Sequence, residues 1–244
     1  MKQKLTFQDK NEKELFKFLK SNKERKILSF LNQHDLYQLN NEPLFKEALL
    51  KKYNLNFIDG STISVYLSLT NLRKIPRIRG PTFTKDFLSE KNLSKNKRHF
   101  FIGLEKKDIQ RLKKKLPHLN NTESYNPPFI KFIQFSQEEI KKMSKLINKY
   151  KADYVWVGIG CPKQNILTDT LFRKTKAQYF VNIGAGLDFL LEKKKEAPSL
   201  VRKLGIEWLY RLVTDFKHTF KKVDKSFISL IYLPGQIKIN KPET

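Results

Sequence analysis

Two short segments of this sequence are almost entirely apolar, and they constrain the fold more than any other feature. The runs YVWVGIG (154–160) and YFVNIG (179–184) carry apolar side chains at consecutive positions, not only at alternate ones. A strand with this pattern is buried on both faces, which is typical of parallel strands covered by helices. The pattern therefore predicts an α/β fold with an open, mainly parallel, Rossmann-like sheet and helices on both faces.

The chain alternates between strand-like and helix-like patterns as far as residue 198. Apolar runs predict strands, and apolar side chains three or four positions apart predict helices. We expect strands over 25–32, 54–60, 98–104, 129–135, 152–160 and 177–184, and helices over 43–53, 62–73, 105–116 and 137–150. Because the alternation stops after Pro198, the sequence predicts an α/β catalytic core over 1–198 and a helical, basic C-terminal appendage over 199–244.

The net charge of the chain is compatible with several classes of partner. The sequence has 49 Lys and Arg against 24 Asp and Glu, which leaves a net charge of +25. Such a charge attracts phosphate-rich partners such as nucleic acid, anionic lipid or pyrophosphate substrates. A general abundance of lysine on a solvated surface explains the charge equally well.

Cysteine usage and the absence of long apolar runs bear on location. The single cysteine, Cys161, excludes an intrachain disulfide and fits a reducing compartment. The N-terminal segment lacks the apolar core of a signal peptide, and no run approaches the length of a membrane span. We therefore expect a cytoplasmic protein with peripheral contact to the inner face of the cell membrane.

His34, His99 and His118 lack metal-ligand spacing, so we interpret them as surface or loop residues and expect no metal.

Small and polar residues follow the expected strands, where the ligand crevice of an open α/β sheet lies. In VGIGCPKQN (157–165), two glycines allow close approach of a ligand, and a proline lies in the expected first turn of a helix. The N–H groups of such a helix terminus bind anions such as a diphosphate. The turn thus indicates nucleotide binding, and tight packing of a strand against a helix is an equally good explanation.

Three sequence blocks resemble the WecG/TagA/CpsF family of glycosyltransferases. GIGCPKQN (158–165) is similar to the family's G-x-G-x-P-K-Q-E element, NIGAGLDFL (182–190) to its V-G-A-x-F-D-F block, and LGIEWLYRL (204–212) to its L-G-L-E-W-x-x-R-L block. The blocks follow the family order. Shorter matches, FLNQHDLY, FIDG, RIRGP and SYNPPF, extend the resemblance from about residue 25 to about residue 225.

The resemblance implies transfer of a sugar, with inversion, from a UDP-sugar donor to a polyprenyl-pyrophosphate-linked acceptor in surface polysaccharide synthesis, without metal or cofactor. It implies Asp59 as the catalytic base, with Arg77 and Gln164 as further catalytic residues. Arg79 could share the role of Arg77. The implied donor-binding residues are Asn32, Gly103, Gly158, Gly160, Gly184 and Asp188. The implied contacts with the acceptor pyrophosphate, all in the appendage, are Arg211, His218 and Lys221.

Each implied role has a plainer alternative, and several positions depart from the family pattern. An Asp-Gly pair such as the one at Asp59 is usually a turn, Asn32 could cap a helix, and Asp188 could be a helix N-terminal carboxylate. The departures are Phe30, Asn165, Leu187 and Glu196, which leave the donor sugar open. Two other hypotheses are a basic nucleic-acid-binding or RNA-modifying protein and a non-catalytic scaffold. We expect an anionic membrane surface and no nucleic acid as partner, and homo-oligomer formation stays open.

Overall fold

The computed structural model describes residues 4–194, 196–198, 200–201, 210, 213 and 237–240. The strands within these residues are β1 Leu5–Gln8, β2 Lys26–Leu31, β3 Asn54–Ile58, β4 His99–Ile102, β5 Thr122–Tyr125, β6 Tyr154–Val157, β7 Tyr179–Asn182 and β8 Ile237–Asn240. The helices with bounds in these residues are α1 Glu12–Ser21, α2 Gln33–Asn41, α3 Pro43–Leu50, α4 Ser61–Thr70, α5 Gly80–Ser89, α6 Lys91–Ser94, α7 Lys106–Lys115, α8 Gln137–Tyr150, α9 Lys163–Lys174 and α10 Gly186–Leu190.

All eight strands belong to one open sheet, and every pair of neighbours is parallel. The order across the sheet is β5-β4-β6-β7-β2-β3-β1-β8. The centre is in continuous register, since Ser29 of β2 lies opposite Asn56 of β3 on one side and Asn182 of β7 on the other. The predicted α/β class with a Rossmann-like parallel sheet is confirmed.

Helices cover both faces of the sheet, which explains the apolar runs that predicted it. In β6, Tyr154 and Trp156 pack on the face covered by α1, α5, α7 and α10, which we call the first face. Val155 and Val157 pack on the opposite, second face, which carries α2, α3, α8 and α9. Because no side chain of this strand meets water, the strand has no polar position.

The predicted strand over 129–135 is wrong. The strand at that edge of the sheet is β5 (Thr122–Tyr125), and residues 126–136 form a loop in which Phe129 and Phe132 are exposed. FIKFIQF is an apolar, β-prone run interrupted only by Lys131 and Gln134, whereas β5 reads TESY. An edge strand that exposes polar side chains to water lacks the apolar pattern on which the prediction relied.

The two strands at the other edge, β1 and β8, were not predicted. They pair with each other over four residues, from Leu5 opposite Ile237 to Gln8 opposite Asn240. Four residues of the predicted appendage thus lie in the sheet, and the division at residue 198 stays a prediction for the rest, most of which lies outside the described residues. Within the described ranges, no helix combines the length and apolar composition needed to cross a membrane.

The interpretation of His99 as a surface or loop residue is also wrong. His99 begins β4 and is completely buried. Its Nε2 donates to the carbonyl oxygen of Ser94 at 3.0 Å, and its Nδ1 accepts from the indole N–H of Trp156 at 3.1 Å. Both ring nitrogens are thus satisfied in the neutral form, and burial lowers the pKa of His99 to about 4.

Candidate active site

The topology of the sheet opens a crevice between β7 and β2. The two strands are neighbours, but the chain leaves them toward opposite faces. After β7 it enters α10 on the first face, and after β2 it enters α2 on the second. Such a reversal makes a crevice beyond the carboxyl ends of parallel strands. The residues that follow β2, β3, β6 and β7 form the rim of this crevice.

Predicted glycines let the ends of β4, β6 and β7 approach each other closely. A Cβ atom on Gly103 would lie 3.0 Å from the carbonyl oxygen of Gly158, and a Cβ atom on Gly158 would lie 3.0 Å from that of Gly184. Gly103 also has a φ of 98°, which disfavours any residue with a side chain. By contrast, no described atom lies within 4 Å of the Cβ position of Gly160 or Gly184, so the space beside these two glycines is open.

Gln164 ties the first turn of α9 to the loop that follows β7. Its side chain is buried, and its Oε1 accepts a hydrogen bond from the backbone N–H of Gly184 at 3.0 Å. This bond fixes the orientation of the amide, because only its oxygen can accept from an N–H group. The Nε2 group makes no hydrogen bond to the part of the chain that the structure describes. It is therefore the donor that Gln164 can offer to a ligand.

Asp59 and Arg77 are in contact at the end of β3. The backbone N–H of Asp59 donates to the carbonyl oxygen of Leu31 at 2.9 Å, which extends the pairing of β3 with β2 by one residue. The carbonyl oxygen of Asp59 accepts a hydrogen bond from Nε of Arg77. The backbone N–H of Ile78 donates to the carbonyl oxygen of Ile58 at 2.8 Å, so the segment that carries Arg77 runs beside the strand end. A carboxylate residue and a guanidinium residue thus share one place on the rim.

Contacts through α2 join the two halves of the rim. A Cβ atom on Gly60 would lie 3.5 Å from Cα of Asn32, so the loops after β3 and β2 touch. Asp35, in the first turn of α2, interacts with the thiol of Cys161 in the loop between β6 and α9. Burial and this hydrogen-bonded carboxylate raise the pKa of Cys161, which is therefore a neutral thiol and not a nucleophile.

The end of β3 and the pair formed by Gln164 and Gly184 lie on opposite sides of β2. In the sheet order, β2 separates β3 from β7. The distance across is two strand spacings, or about 10 Å, which is wide enough for a sugar ring. Asp59, Arg77 and Gln164 thus share one rim and do not lie on separate surfaces.

Other residues predicted to bind ligand already make structural contacts within the protein, namely a helix cap and an ion pair. Asn32 caps α2, because its Oδ1 accepts hydrogen bonds from the backbone N–H groups of His34 at 2.9 Å and Asp35 at 3.3 Å. Asp188, in the first turn of α10, forms an ion pair of 2.7 Å with Lys194. The three predicted acceptor contacts lie outside the described residues: Arg211, His218 and Lys221.

A buried polar network beneath the rim was missed in the sequence. Asn165, which follows Gln164, is buried, and its Nδ2 lies 3.4 Å from the hydroxyl of Ser29 on β2. Asn182 on β7 donates to the same hydroxyl at 3.0 Å and accepts from the hydroxyl of Thr168 at 2.6 Å. These bonds hold α9 against the two central strands. The lone polar residue in YFVNIG was the signal that could have revealed them.

Comparison with known proteins agrees with the three sequence blocks. The family described as "Glycosyl transferase WecG/TagA/CpsF family" matches residues 3–241. Two proteins of Staphylococcus aureus named N-acetylglucosaminyldiphosphoundecaprenol N-acetyl-beta-D-mannosaminyltransferase are similar over shorter stretches. The protein of strain NCTC 8325 / PS 47 is 36% identical over 86 residues, which is 35% of this chain and 33% of the relative. The protein of strain MRSA252 is 37% identical over 79 residues, or 32% and 31% of the two chains.

The matched stretch thus spans about a third of the length of these curated relatives. The family match, by contrast, runs through all eight strands and every rim residue described above. The chain therefore belongs to the WecG/TagA/CpsF family of glycosyl transferases.

Proposed function

We propose that this protein is an inverting glycosyltransferase, which moves a sugar from a UDP-sugar to a polyprenyl-pyrophosphate-linked saccharide in surface polysaccharide synthesis. The observation that carries the proposal is that Asp59, in contact with Arg77 at the end of β3, and Gln164, bonded to the loop after β7, lie on either side of β2 at one end of the sheet. Membership of a glycosyl transferase family supports this function and gives no support to the nucleic-acid alternative.

Asp59 is the proposed general base. A hydroxyl of the acceptor attacks the anomeric carbon of the donor sugar from the side opposite UDP, and a new C–O bond forms as the bond to UDP breaks. The configuration at that carbon inverts. The carboxylate of Asp59 takes the hydroxyl proton as the attack proceeds. Its position directly after a central parallel strand, at the crevice, supports this role.

The departing UDP gains negative charge on its diphosphate, which cations and N–H groups must offset. We assign this stabilisation to Arg77 and to the N-terminal turn of α9, with Nε2 of Gln164 as a donor to the sugar or a phosphate oxygen. The open space beside Gly160 and Gly184 supports close approach of the donor. In this proposal Asp188 accepts hydrogen bonds from uridine and exchanges its ion pair with Lys194 to do so.

The acceptor side of the proposal rests on the sequence resemblance. Arg211, His218 and Lys221 are the proposed contacts with the acceptor pyrophosphate, where lysine acts as a point charge without the paired donors of arginine. The names of the staphylococcal relatives specify an N-acetylmannosaminyl group and an N-acetylglucosaminyldiphosphoundecaprenol acceptor. These are the first sugar and acceptor to assay with this chain. Because such an acceptor is held in a bilayer, we infer peripheral attachment to the inner face of the cell membrane.

The substitution Asp59→Asn tests the proposed base. Removal of a general base should lower kcat by about 10²- to 10⁴-fold. Binding of UDP, measured by calorimetry, should change by less than about twofold, because the amide keeps the shape of the side chain. Glu123→Gln removes an exposed carboxylate of the edge strand β5 and is the matched control, with parental turnover expected. Parental activity of the Asp59→Asn protein would remove Asp59 from its role.

A further inference from the structure

Two elements at the carboxyl end of the sheet expose large apolar side chains to water. One is α4 with the turn that follows it, where Val65, Leu69 and Leu72 are exposed, Leu72 to 95%. The other is the loop after β5, where Phe129 is 90% exposed and Phe132 is also exposed. These five are the majority of the large apolar side chains that the described residues expose. Single exposed apolar residues need no explanation, but a concentration on two elements at one end of the sheet indicates a contact surface.

Both elements lie at the carboxyl end of the parallel sheet. The helix α4 begins three residues after the end of β3, and the turn that follows it lies at the carboxyl end of the sheet, where Arg73 forms an ion pair with Asp9, the residue after β1. The loop begins directly after β5, and its Ile130 carbonyl oxygen accepts a hydrogen bond from Lys163, the first residue of α9. Because all strands are parallel, their carboxyl ends lie at the same end of the sheet, and the candidate active site lies at that end.

The two elements also share one apolar base. Ile63 and Leu67 of α4 are buried in the second-face cluster that contains Ile166 of α9. Ile133 of the loop packs against that same cluster. Each element is thus held down by its buried apolar side chains, so the exposed ones are presented outward from a fixed support. We call the exposed set Val65, Leu69, Leu72, Phe129 and Phe132 the apolar rim.

The two segments that carry the apolar rim contribute only basic charges. Residues 61–81, which include α4 and the segment after it, contain four Lys or Arg and no Asp or Glu. Residues 126–135 contain Lys131 and no acidic residue. Lys74 and Lys131 are exposed beside the apolar side chains. Apolar side chains set among an excess of cations, of which Arg73 is paired with Asp9, match the interface of an anionic bilayer, in which acyl chains lie beneath negatively charged headgroups.

We propose that the apolar rim inserts into the surface of an anionic lipid bilayer and so holds the crevice against the membrane. This inference rests on the proposed function for its purpose, since a lipid-linked acceptor would then reach Asp59 without leaving the bilayer. It adds a lipid contact made by the α/β core itself, separate from the predicted appendage. Phenylalanine and leucine enter the headgroup boundary, and Lys74 and Lys131 remain at the phosphates.

The full chain with the double substitution Phe129→Ser and Phe132→Ser, and the full chain with Leu69→Ser and Leu72→Ser, test the proposal. We measure sedimentation with vesicles of phosphatidylglycerol and phosphatidylcholine, without any sugar substrate. Each double variant should bind at least about tenfold more weakly, the factor expected when one large apolar side chain stays in water. Leu44→Ser, an exposed leucine on α3, is the matched control and should bind like the parent. Thermal melting verifies that the variants are folded.

Parental vesicle binding by both folded double variants would overturn the proposal, and would assign any lipid binding to other parts of the chain. A change of oligomeric state in gel filtration, with vesicle binding unchanged, would also overturn it and identify the surface as a contact between copies. Assays with a short-chain, water-soluble acceptor separate this proposal from the proposed function. The variants should keep turnover on the soluble acceptor and lose it on vesicles. A parent without turnover on either acceptor refutes the function and leaves the vesicle-binding test intact.

Discussion

At the scale of single residues, the candidate site depends on which hydrogen bonds the protein has already made. The oxygen of the Gln164 amide is occupied by the N–H of Gly184, so the NH₂ group is what remains for a ligand. A glutamate at this position would keep the acceptor and lose the donor. It would also bring a negative charge close to the proposed diphosphate site.

Gln164→Glu should therefore lower kcat/KM by about 10²- to 10³-fold, as loss of a preorganised donor does elsewhere. The melting temperature should stay within a few degrees of the parent, because the hydrogen bond to Gly184 survives the change. Gln137→Glu, at the exposed start of α8, is the matched control for the chemistry of the substitution. Equal kinetics of the Gln164→Glu protein and the parent would show that the amide donor has no part in turnover.

His99 predicts how stability depends on pH. Burial lowers its pKa from 6.5 to about 4, so the unfolded chain takes up a proton at a pH where the folded chain does not. The contribution of His99 to the free energy of unfolding is fully present above pH 6.5 and is lost as the pH falls toward 4. Between pH 7 and pH 5 the free energy of unfolding should fall by about 2 kcal/mol through His99. Urea unfolding of the parent and of His99→Gln measures the difference, and two parallel pH profiles would contradict the assignment.

Single buried polar residues are where sequence reasoning was weakest. His99 has no motif around it and Asn182 only begins one, and each stands in an apolar strand for a local reason that packing reveals. His99 satisfies the indole of Trp156, and Asn182 links Ser29 to Thr168. A polar group inside a sheet must find such partners, because an unpaired one costs free energy when it leaves water.

At the scale of elements, α2 combines a structural role with a proposed ligand contact. Its capping box is reciprocal: Oδ1 of Asn32 accepts from the backbone N–H of Asp35, and the carboxylate of Asp35 accepts from the backbone N–H of Asn32 at 2.9 Å. The spacing Asn-x-x-Asp is a readable signal of this start in the sequence, yet the helix was not predicted. The Nδ2 group of Asn32 takes no part in the cap.

Substitutions at Asn32 should separate the two roles. Asn32→Ala removes the cap and should lower the free energy of unfolding by about 1 kcal/mol. Asn32→Asp keeps an equally good capping oxygen, so its stability should match the parent within a few tenths of a kcal/mol. It should nonetheless bind UDP more weakly, since it replaces an N–H donor with a negative charge near the diphosphate. Urea unfolding and calorimetry measure the two effects. Unchanged UDP affinity in the Asn32→Asp protein would leave Asn32 as a cap alone.

Elements with strong burial were predictable, and those at the edges of the sheet were not. The central strands β2, β6 and β7 are apolar at nearly every position, since helices cover both of their faces. At the edges, β5 and β8 have four residues each and expose part of them. The edge strand β5 reads TESY and has no apolar pattern, whereas β8 reads IKIN and alternates over only four residues. A polar strand such as β5 carries no periodicity that distinguishes it from a loop, and the four-residue alternation of β8 is at the lower limit of a strand signal.

At the scale of the whole molecule, the parallel sheet explains why the rim residues could be predicted without any distances. Asp59, Gly158 and Gly184 are far apart in the sequence. Each follows a strand of one parallel sheet, so all three lie at the carboxyl end of that sheet. Which of them bind ligand and which serve the fold stayed open in the sequence, because Asn32 and Asp188 can each bind ligand or a partner close by in the chain, the first turn of α2 or Lys194. The net charge of +25 likewise indicated an anionic partner without choosing one, and the exposed apolar rim favours a bilayer among these partners.

The C-terminal region gives the last prediction, because it includes both the proposed acceptor contacts and β8. A chain ending near residue 200 should keep a folded α/β core and bind UDP, but lose turnover on lipid-linked acceptor. It should also be less stable, since β8 pairs with β1 over four residues, whereas β1 meets β3 at one residue pair. Full-length Ile237→Ala separates the causes, because it weakens β8 by about 2 kcal/mol without removing the proposed contacts.

Measurements of turnover on lipid-linked acceptor and of urea unfolding should therefore distinguish the shortened chain from the Ile237→Ala protein. The shortened chain should lose both stability and turnover, and Ile237→Ala should lose stability alone. Undiminished turnover of the shortened chain would refute the acceptor role of Arg211, His218 and Lys221. Loss of turnover in both proteins would trace the effect to the edge of the sheet, since β1 adjoins β3 and the position of Asp59 at the end of β3 would depend on that support.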